Sequence, residues 1–254
     1  MKFGISKLSI VPVRLDPNDQ SEMTTQLIFG EHYKILESRD KWSKIEIAHD
    51  RYIGWICNKQ NQEISEEEYK KLEKEIPTLT TDILDIIEHD YHQPIVIGSV
   101  LPTYKSDHAL INNKMYKFTG KKTQGFSQKK HLIKNAMVFL NAPYLWGGRT
   151  PFGIDCSGFT QMIYRLQGIK IPRDAYQQAE IGTTLGFIDE SEPGDLAFFD
   201  DKEGKIVHVG IIMPDYHIIH AFGQVRIDRL DQTGVFNKDL NAHTHKLRVI
   251  KKVV

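Results

Sequence analysis

The segment from Gly153 to Phe159, with the sequence GIDCSGF, places a cysteine directly before a predicted helix, and it constrains the fold more than any other part of the chain. After Cys156 the apolar residues at positions 159, 162, 163 and 166 follow helical spacing, and Gly168 is a typical helix stop. The free N–H groups of a helix start carry partial positive charge, which favours a thiolate. We therefore expect a lowered pKa for Cys156 and backbone amides that can receive an oxyanion.

Two later segments provide candidate bases for this thiol. The runs Ile206–Met213 and His217–Phe222 are predicted to be buried strands joined by a short turn. In a hairpin centred near Pro214, His208 and His220 lie roughly opposite one another on the same face of the sheet. One imidazole can then act as the base while the second orients it, which is the arrangement that nucleophilic catalysis by cysteine requires.

Each of these residues also has a structural alternative. A lone cysteine is commonly a small buried hydrophobic residue, a strand histidine commonly bonds a neighbour, and aromatic residues such as Tyr144 and Trp146 commonly pack in a core. Trp146 is expected to be a packing residue of this kind. A zinc site made of Cys156, His208 and His220 is a further alternative, but the sequence offers no clear fourth ligand and no CxxC pair.

Five short blocks follow one another in the C-terminal half of the chain: 143–148 (PYLWGG), 155–159 (DCSGF), 172–174 (PRD), 193–196 (PGDL) and 208–211 (HVGI). Together they resemble the NlpC/P60 cysteine peptidases of bacterial cell-wall metabolism, over about residues 127–254. The resemblance implies an α+β, papain-like domain in which the helix carrying the nucleophile packs on an antiparallel sheet. It also implies that Cys156 is the nucleophile, His208 the general base, His220 the residue that orients the base, and Tyr144 a neighbour of the oxyanion site.

The N-terminal part of the chain has the pattern of small β modules. Short strand-like runs at 8–15, 25–28, 33–38, 42–47 and 52–56 are separated by polar or glycine-containing turns, which is typical of a small barrel. The segments 21–31, 42–45 and 50–56 resemble a bacterial SH3 domain. A charged helix is predicted over 64–74, with Ser65 as its N-cap and Glu68 completing a capping box. Strand-like runs return between 80 and 119.

The expected domain organisation follows from these patterns. Residues 1–60 are interpreted as a bacterial SH3-like barrel, 61–79 as a helical linker, 80–122 as a second, smaller SH3-like module, and 123–254 as the NlpC/P60 catalytic domain.

Bacterial SH3 domains joined to such a catalytic domain suggest either docking to peptidoglycan or lining of the active-site cleft so that only short, soluble muropeptides fit. The second use is a feature of the γ-D-glutamyl-L-diamino acid endopeptidases, and the chain resembles this subgroup. The resemblance implies hydrolysis of the γ-D-Glu-meso-diaminopimelate or γ-D-Glu-L-Lys bond in murein peptides with a free N-terminal L-Ala, in peptidoglycan recycling or turnover. Carboxylates bind a cationic terminus through charge-assisted hydrogen bonds. The candidate substrate-binding residues are Glu22, Tyr52, Asp155, Ser157, Arg173 and Asp174.

These substrate-binding candidates have structural alternatives as well. Asp155 also fits the N-cap of the predicted helix, Glu22 a surface charge, and Tyr52 an aromatic residue of the barrel core. Ala175 occupies a position where many family members have serine, so one hydrogen bond to substrate is expected to be missing.

Two other classes of protein remain compatible with the sequence. A papain-like amidase or acyltransferase, acting on another wall-derived or lipid substrate, would keep Cys156 and His208 without needing Glu22 or Asp174. A non-catalytic wall-binding SH3 protein would be expected to have lost the nucleophile, which this chain retains.

Composition limits the partners and the compartment. The formal net charge is zero, so no general attraction to nucleic acid or to an anionic membrane is expected. The two cysteines, Cys57 and Cys156, do not indicate a disulfide framework, and the N-terminal segment shows neither a signal peptide nor a membrane span. We expect a cytoplasmic monomer that acts on murein tri- or tetrapeptides or peptidoglycan fragments without a metal or cofactor. If a signal peptide has been removed from the sequence, the expected location is the periplasm instead.

Overall fold

The computed structural model describes residues 2–254, which form two compact units. The first unit contains residues 2–126 together with Trp146–Pro151, and the second contains Ser127–Leu145 and Phe152–Val254. Met1, where the predicted SH3-like domain begins, lies outside the described residues. The segment Trp146–Pro151 thus belongs to the first unit although the residues on either side of it in the sequence belong to the second.

The first unit begins with a seven-stranded antiparallel sheet. Its strands are β1 (Lys2–Ile5), β2 (Ile10–Arg14), β3 (Met23–Ile28), β4 (His32–Ser38), β5 (Trp42–Ile47), β6 (Ile53–Cys57) and β7 (Gln62–Ile64), in the order β3-β2-β6-β5-β4-β1-β7. Alternate residues of β2 and β5, such as Val11, Val13, Ile45 and Ile47, point into one core, as a half-buried strand requires. The small barrel-like β module expected near the N-terminus is therefore confirmed, with β1 and β7 as additional strands.

The rest of the first unit contains one helix and two smaller sheets. A short 3-10 turn over Asn58–Gln60 precedes β7. Helix α1 (Glu66–Lys74) follows β7, with the Ser65 side-chain oxygen accepting the Glu68 N–H at 3.1 Å. The remaining strands are β8 (Thr78–Thr80), β9 (Leu84–Glu88), β10 (His92–Val96), β11 (Val100–Leu101), β12 (His108–Ile111), β13 (Lys114–Lys117), β14 (Lys122–Gln124) and β15 (Arg149–Thr150). Strands β10-β9-β13-β12 form a four-stranded sheet and β11-β8-β14 a three-stranded sheet.

A single hydrophobic cluster joins the parts of this unit. Phe3 of β1, Tyr69 of α1 and Ile87 of β9 all belong to it. The segment predicted as a linker, 61–79, holds β7 and α1 and reaches into β8, and the segment 80–122 supplies most of the two smaller sheets. The predicted boundaries of the separate modules stay predictions.

The second unit combines helices with a large antiparallel sheet. Its helices are α2 (His131–Met137), α3 (Cys156–Leu166) and α4 (Ala175–Gln178), with a 3-10 turn over Ile188–Glu190. Its strands are β16 (Gly153–Ile154), β17 (Thr183–Leu185), β18 (Leu196–Asp200), β19 (Ile206–Met213), β20 (His217–Phe222), β21 (Gln224–Leu230), β22 (Gly234–Asn237) and β23 (Ala242–Lys252). The sheet order is β17-β23-β18-β19-β20-β21-β22, with a further pairing of β22 with β23. Every residue of α3 is buried, which confirms the expected α+β domain with a nucleophile-bearing helix packed on an antiparallel sheet.

Caps at both ends fix the length of α3. The Asp155 carboxylate accepts the Gly158 N–H at 2.6 Å, so Cys156 becomes the first helical residue. At the other end Gly168 has a φ of 76°, and the N–H groups of Gly168 and Ile169 reach the carbonyls of Arg165 and Tyr164. This is the Schellman arrangement, in which a left-handed residue closes the helix and favours glycine.

The hairpin of β19 and β20 determines where the two histidines lie. Its turn places Asp215 and Tyr216 at positive φ, 57° and 56°, as in a tight hairpin turn. The pairing of Ile211 with Ile219, continued along the strands, sets Gly210 opposite His220, and a Cβ on this glycine would lie 2.9 Å from the Cβ of His220.

His208 is two residues beyond Gly210 along β19 and therefore lies diagonal to His220 on the same face. The expectation that the two histidines lie roughly opposite one another is corrected to this diagonal arrangement. In residues 2–254 no helix is both long enough and apolar enough to span a bilayer.

Candidate active site

The candidate nucleophile, Cys156, is the first residue of α3 and is only 6% exposed. The backbone N–H groups of Val209 and Ser157 lie close enough to its sulfur to lower the pKa of the thiol. Ser157 is the next residue of the helix, whereas Val209 belongs to β19 and directly follows His208. The start of the helix and the strand that carries the candidate base therefore meet at the sulfur.

Burial, reinforced by the negative charge of Asp155, raises the pKa of the Cys156 thiol to about 12. The amide contacts from Val209 and Ser157 and the charge of Arg173 lower this pKa, but by less. The expectation of a lowered pKa is therefore wrong, because loss of water around the sulfur outweighs the field of the helix start. The resting sulfur is a neutral thiol, and a base must remove its proton during attack.

His208 and His220 form a direct hydrogen bond. The His208 Nε2 and the His220 Nδ1 are 2.8 Å apart, and both rings are buried. Burial, reinforced by the neighbouring imidazoles of His220 and His245, holds the pKa of His208 well below 6.5. With Nε2 engaged, the Nδ1 of His208 is the ring nitrogen that can act as a base.

The side of His220 away from His208 faces a carboxylate. Its Nε2 lies 3.0 Å from Asp228 Oδ2, and Arg226 Nε donates to the same oxygen at 2.7 Å. Burial lowers the pKa of His220, with the bond to Asp228 opposing this shift. Burial raises the pKa of Asp228, but its hydrogen bonds with His220 and Arg226 together hold it below the usual range.

Tyr144 lies close to the nucleophile in the second unit. Its N–H donates to the Gly223 carbonyl at 2.9 Å, directly after the end of β20. Burial raises the pKa of the Tyr144 hydroxyl, and the negative charges of Cys156, once ionised, and of Asp155 add to this rise. The hydroxyl therefore stays protonated at neutral pH and can donate a hydrogen bond to a developing oxyanion.

Asp155, Ser157 and Arg173 form one buried network beside the helix start. The Arg173 guanidinium donates to both carboxylate oxygens of Asp155, at 3.0 Å and 2.6 Å, and to Ser157 Oγ at 2.9 Å. Asp155 thus serves as the helix cap and as the partner of a buried arginine. Its substrate-binding role, and those of Ser157 and Arg173, stay predictions.

Asp174 lies at the start of the short helix α4 and is half-buried. Its N–H donates to Gln177 Oε1 at 3.3 Å, so the residue helps to begin this helix. Ala175, the next residue in the sequence, has a buried methyl side chain. Binding of substrate by Asp174 stays a prediction.

The two candidates from the N-terminal module, Glu22 and Tyr52, both lie in the first unit. Glu22 is exposed, and its carboxylate accepts a hydrogen bond from Trp146 Nε1. Trp146 is 59% exposed, so the expectation that it packs in a core is wrong. Tyr52 packs partly against the barrel core, as its structural alternative states. The roles of Glu22 and Tyr52 in binding substrate stay predictions.

A third histidine, His245, extends the cluster around the candidate base. One nitrogen from each of His208, His220 and His245 lies within 4.8 Å of the others. The rings of His208 and His245 stack, however, with centroids 4.2 Å apart and planes at 26°. Lone pairs of stacked rings lie in nearly parallel planes and do not converge on one ion as tetrahedral zinc requires. Hydrogen bonding between His208 and His220 therefore describes this cluster better than metal ligation.

Sequence reasoning missed His245 and the pair of Arg226 and Asp228. The last two had a usable signal, because they alternate with Val225 and Ile227 along a strand that follows the His220 strand after a tight turn. Polar residues at alternate positions of such a strand point to one face of the sheet. Here it is the face that carries His220 on the neighbouring strand. His245 lies far along the chain on β23, and no local pattern connects it to His208.

Known proteins show what this chain is similar to. Residues 141–244 match the NlpC/P60 family, and residues 13–60 match the bacterial dipeptidyl-peptidase Sh3 domain. A gamma-D-glutamyl-L-lysine dipeptidyl-peptidase of Bacillus cereus is 28% identical over 228 residues, which cover 79% of this chain and 68% of that protein. The Bacillus subtilis protein of the same name is 44% identical over 92 residues, which cover 35% of this chain and 31% of that protein.

Solved structures agree on the fold. An NlpC/P60 family protein from Bacillus cereus superposes with a TM-score of 0.84 at 20% identity, covering 99% of each chain. An NlpC/P60 endopeptidase from Photobacterium damselae subsp. piscicida gives a TM-score of 0.71 at 17% identity, covering 98% of this chain and 70% of that one. At these identities the two matches establish a shared fold.

Proposed function

Because the chain belongs to the NlpC/P60 family and carries a bacterial SH3 domain, we propose that it is a cysteine peptidase of bacterial cell-wall peptides. The bond that it hydrolyses is the one between γ-D-Glu and an L-diamino acid, in peptides with a free N-terminal L-Ala. The similarity to two gamma-D-glutamyl-L-lysine dipeptidyl-peptidases supports this bond. The observation that carries the proposal is the hydrogen bond between His208 on β19 and His220 on β20, together with the approach of the β19 residue Val209 to the Cys156 sulfur.

Acylation begins from a neutral thiol and a neutral base. As the Cys156 sulfur attacks the γ-carbonyl carbon of D-Glu, the thiol proton moves to Nδ1 of His208. The carbonyl oxygen becomes an oxyanion, which the Tyr144 hydroxyl and the backbone N–H groups at the start of α3 stabilise. When the intermediate collapses, the C–N bond breaks, and the His208 imidazolium gives its proton to the departing amine of the diamino acid.

Deacylation reverses the roles with water as the nucleophile. His208 takes a proton from a water molecule that attacks the thioester carbon, and the C–S bond then breaks. The sulfur recovers this proton from His208, and L-Ala-D-Glu leaves with a γ-carboxylic acid that then ionises in water. His220 keeps the imidazole of His208 oriented through both stages by their 2.8 Å hydrogen bond.

Recognition of the free amine is assigned to carboxylates. An ammonium group gains most from carboxylates whose charge is not already neutralised. Asp155 is paired with the Arg173 guanidinium, whereas the hydrogen bond that Glu22 accepts comes from the neutral indole N–H of Trp146. Glu22 is therefore the first carboxylate to test for selectivity toward a free amino terminus.

The test compares matched peptides. L-Ala-γ-D-Glu-L-Lys and L-Ala-γ-D-Glu-meso-diaminopimelate are incubated with the protein, each with and without an N-acetyl group, and products are separated by liquid chromatography. We expect release of L-Ala-D-Glu from the free-amine peptides, strong discrimination against the acetylated ones, and no release by Cys156→Ala. Glu22→Gln is expected to reduce this discrimination while still cleaving.

Other results would reject parts of the proposal. Equal cleavage of free and acetylated peptides would reject the free-amine requirement. Cleavage of neither, together with amide or ester hydrolysis on another substrate that also needs Cys156, would favour the amidase or acyltransferase alternative.

The cytoplasmic location is also a proposal. Both cysteines of the described chain, Cys57 and Cys156, are free thiols, which suits a reducing compartment. Fractionation of the source cells with an antibody against the chain tests it. Recovery with the periplasmic or secreted fraction would contradict the proposal.

A further inference from the structure

Beyond the predicted nucleophile and its two histidines, a carboxylate closes the hydrogen-bond chain. The chain runs from His208 Nε2 to His220 Nδ1 over 2.8 Å, and from His220 Nε2 to Asp228 Oδ2 over 3.0 Å. His220 is fully buried, and Asp228 is 4% exposed. We call the set of His208, His220, Asp228 and Arg226 the imidazole relay.

Arg226 fixes the charge state at the far end of the imidazole relay. Its Nε and Nη2 donate to Oδ2 and Oδ1 of Asp228 at 2.7 Å and 2.9 Å, and Nη2 also donates to Asp239 at 2.7 Å. A guanidinium keeps its protons in proteins, so the Asp228 carboxylate faces it as an anion. An ionised carboxylate only accepts hydrogen bonds. The Nε2 of His220 must therefore be the donor in its bond to Asp228.

The proton on His220 Nε2 determines the proton positions in the rest of the imidazole relay. A neutral imidazole has one N–H, and His220 is held neutral by burial. Its Nδ1 is therefore an acceptor, and the Nε2 of His208 must donate to it. Because His208 is neutral as well, its single proton sits on Nε2, and Nδ1 carries the lone pair.

From this sequence of donors and acceptors we propose that Asp228 is a positioning residue that sets the tautomers of both histidines, so that His208 presents an unprotonated Nδ1 to the Cys156 thiol. The inference rests on the proposed function for its kinetic consequence, because only a base with a free lone pair can take the thiol proton. In the opposite tautomer, Nδ1 of His208 carries a proton and cannot act as the base.

The substitution Asp228→Asn tests this role. The amide has one acceptor oxygen, whereas Arg226 and His220 together offer three N–H groups to the carboxylate. Reversing the His220 tautomer turns one of these donors into an acceptor for the new amide N–H. We expect the reversal to pass along the imidazole relay and to leave a proton on Nδ1 of His208.

Two readouts are measured on the full chain. The ring-nitrogen ¹⁵N shifts of His208 and His220 report the tautomers directly, and the kinetics on L-Ala-γ-D-Glu-L-Lys report the consequence. We expect kcat of Asp228→Asn to fall on the order of 10²- to 10⁴-fold, with little change in KM. The matched control is Asp239→Asn, which removes the other carboxylate on Arg226 but is outside the imidazole relay, and both readouts are expected to stay close to those of the unsubstituted chain.

Several outcomes would overturn the inference. A proton on Nδ1 of His208 in the unsubstituted chain would do so without any variant, and so would an unchanged His208 tautomer in Asp228→Asn. If Asp228→Asn does not fold, Asp228→Glu takes its place: it keeps a carboxylate and is expected to keep the tautomer, and a reversed tautomer there would reject the role. If no murein peptide is cleaved at all, the proposed function fails while the ring-nitrogen shifts still decide the role of Asp228.

Discussion

At the scale of single residues, burial favours the uncharged form of both the Cys156 thiol and the His208 imidazole. Burial raises the pKa of Cys156 to about 12 and lowers that of His208 well below 6.5. Both shifts favour the uncharged pair over a thiolate beside an imidazolium. Attack and proton transfer are therefore coupled, and the position of the lone pair on His208 matters more than the acidity of the sulfur.

This coupling predicts the acidic side of the pH profile. Activity requires neutral His208, so it is present above the pKa of His208 and is lost as the pH falls through that value. Because burial holds this pKa well below 6.5, kcat/KM is expected to stay level down to pH values well below 6.5. The measurement is kcat/KM on the free-amine peptide at constant ionic strength. A loss of activity centred at or above 6.5 would show that a solvated imidazole controls the reaction.

The sequence predicted the elements that carry the candidate site residues better than it predicted their electrostatics. Cys156, His208 and His220 could be named because each lies in a short local pattern of helix start or buried strand. The pKa of Cys156 could not be predicted, because it depends on how much water the rest of the unit removes from the sulfur. The exposure of Trp146 could not be predicted from local sequence either, because its hydrogen-bond partner Glu22 lies 124 residues away in the sequence.

At the scale of elements, the caps of α3 hold the nucleophile in place. Asp155 ends the preceding strand-like segment and begins the helix, and Gly168 ends it after Leu166. Both ends could be predicted to within about one residue, because capping is a local property of the sequence. The offset between His208 and His220 could not, since it depends on the register that the turn at Asp215 and Tyr216 sets.

The C-terminal cap of α3 gives a stability prediction. Gly168→Ala introduces a Cβ at a φ of 76°, which is expected to lower the free energy of unfolding of the second unit by about 1 kcal/mol. Hydrogen exchange of the α3 amides measures the change. The control is Gly186→Ala at an exposed site, where the new Cβ would make an ordinary van der Waals contact with Glu190 Oε2 at 3.6 Å and we expect less than about 0.5 kcal/mol. Equal effects at both glycines would contradict the role of the cap.

At the scale of the whole molecule, a buried ion pair ties distant parts of the sequence into the first unit. Arg149 and Glu31 are 0% and 2% exposed, and the guanidinium donates to both carboxylate oxygens, at 2.9 Å and 3.0 Å. Arg149 also donates to the Gln26 carbonyl at 2.7 Å. These contacts of Arg149 hold the segment Trp146–Pro151 in the first unit. Local sequence patterns could not predict this, because the partners of Arg149 lie more than 100 residues away in the sequence.

A double-mutant cycle tests this ion pair. Arg149→Met leaves the Glu31 charge buried without its guanidinium, so we expect the free energy of unfolding of the first unit to fall by about 3 to 5 kcal/mol. Adding Glu31→Gln removes that charge while keeping an oxygen for the Ile28 N–H, and it is expected to recover part of the loss. Urea unfolding followed by tryptophan fluorescence reports on this unit alone, because Trp42, Trp55 and Trp146 all belong to it. Losses that simply add in the double variant would contradict the pairing.

The most direct test of the account is to trap the acyl-enzyme. L-Ala-γ-D-Glu-L-Lys is mixed with the protein, the reaction is stopped with acid within the first turnover, and the peptide that contains Cys156 is analysed by mass spectrometry. We predict an L-Ala-D-Glu acyl group attached through a thioester to Cys156, and its absence when Cys156→Ala is mixed with the same peptide. Cleavage that proceeds with Cys156 unmodified, and that Cys156→Ala still performs, would contradict the account.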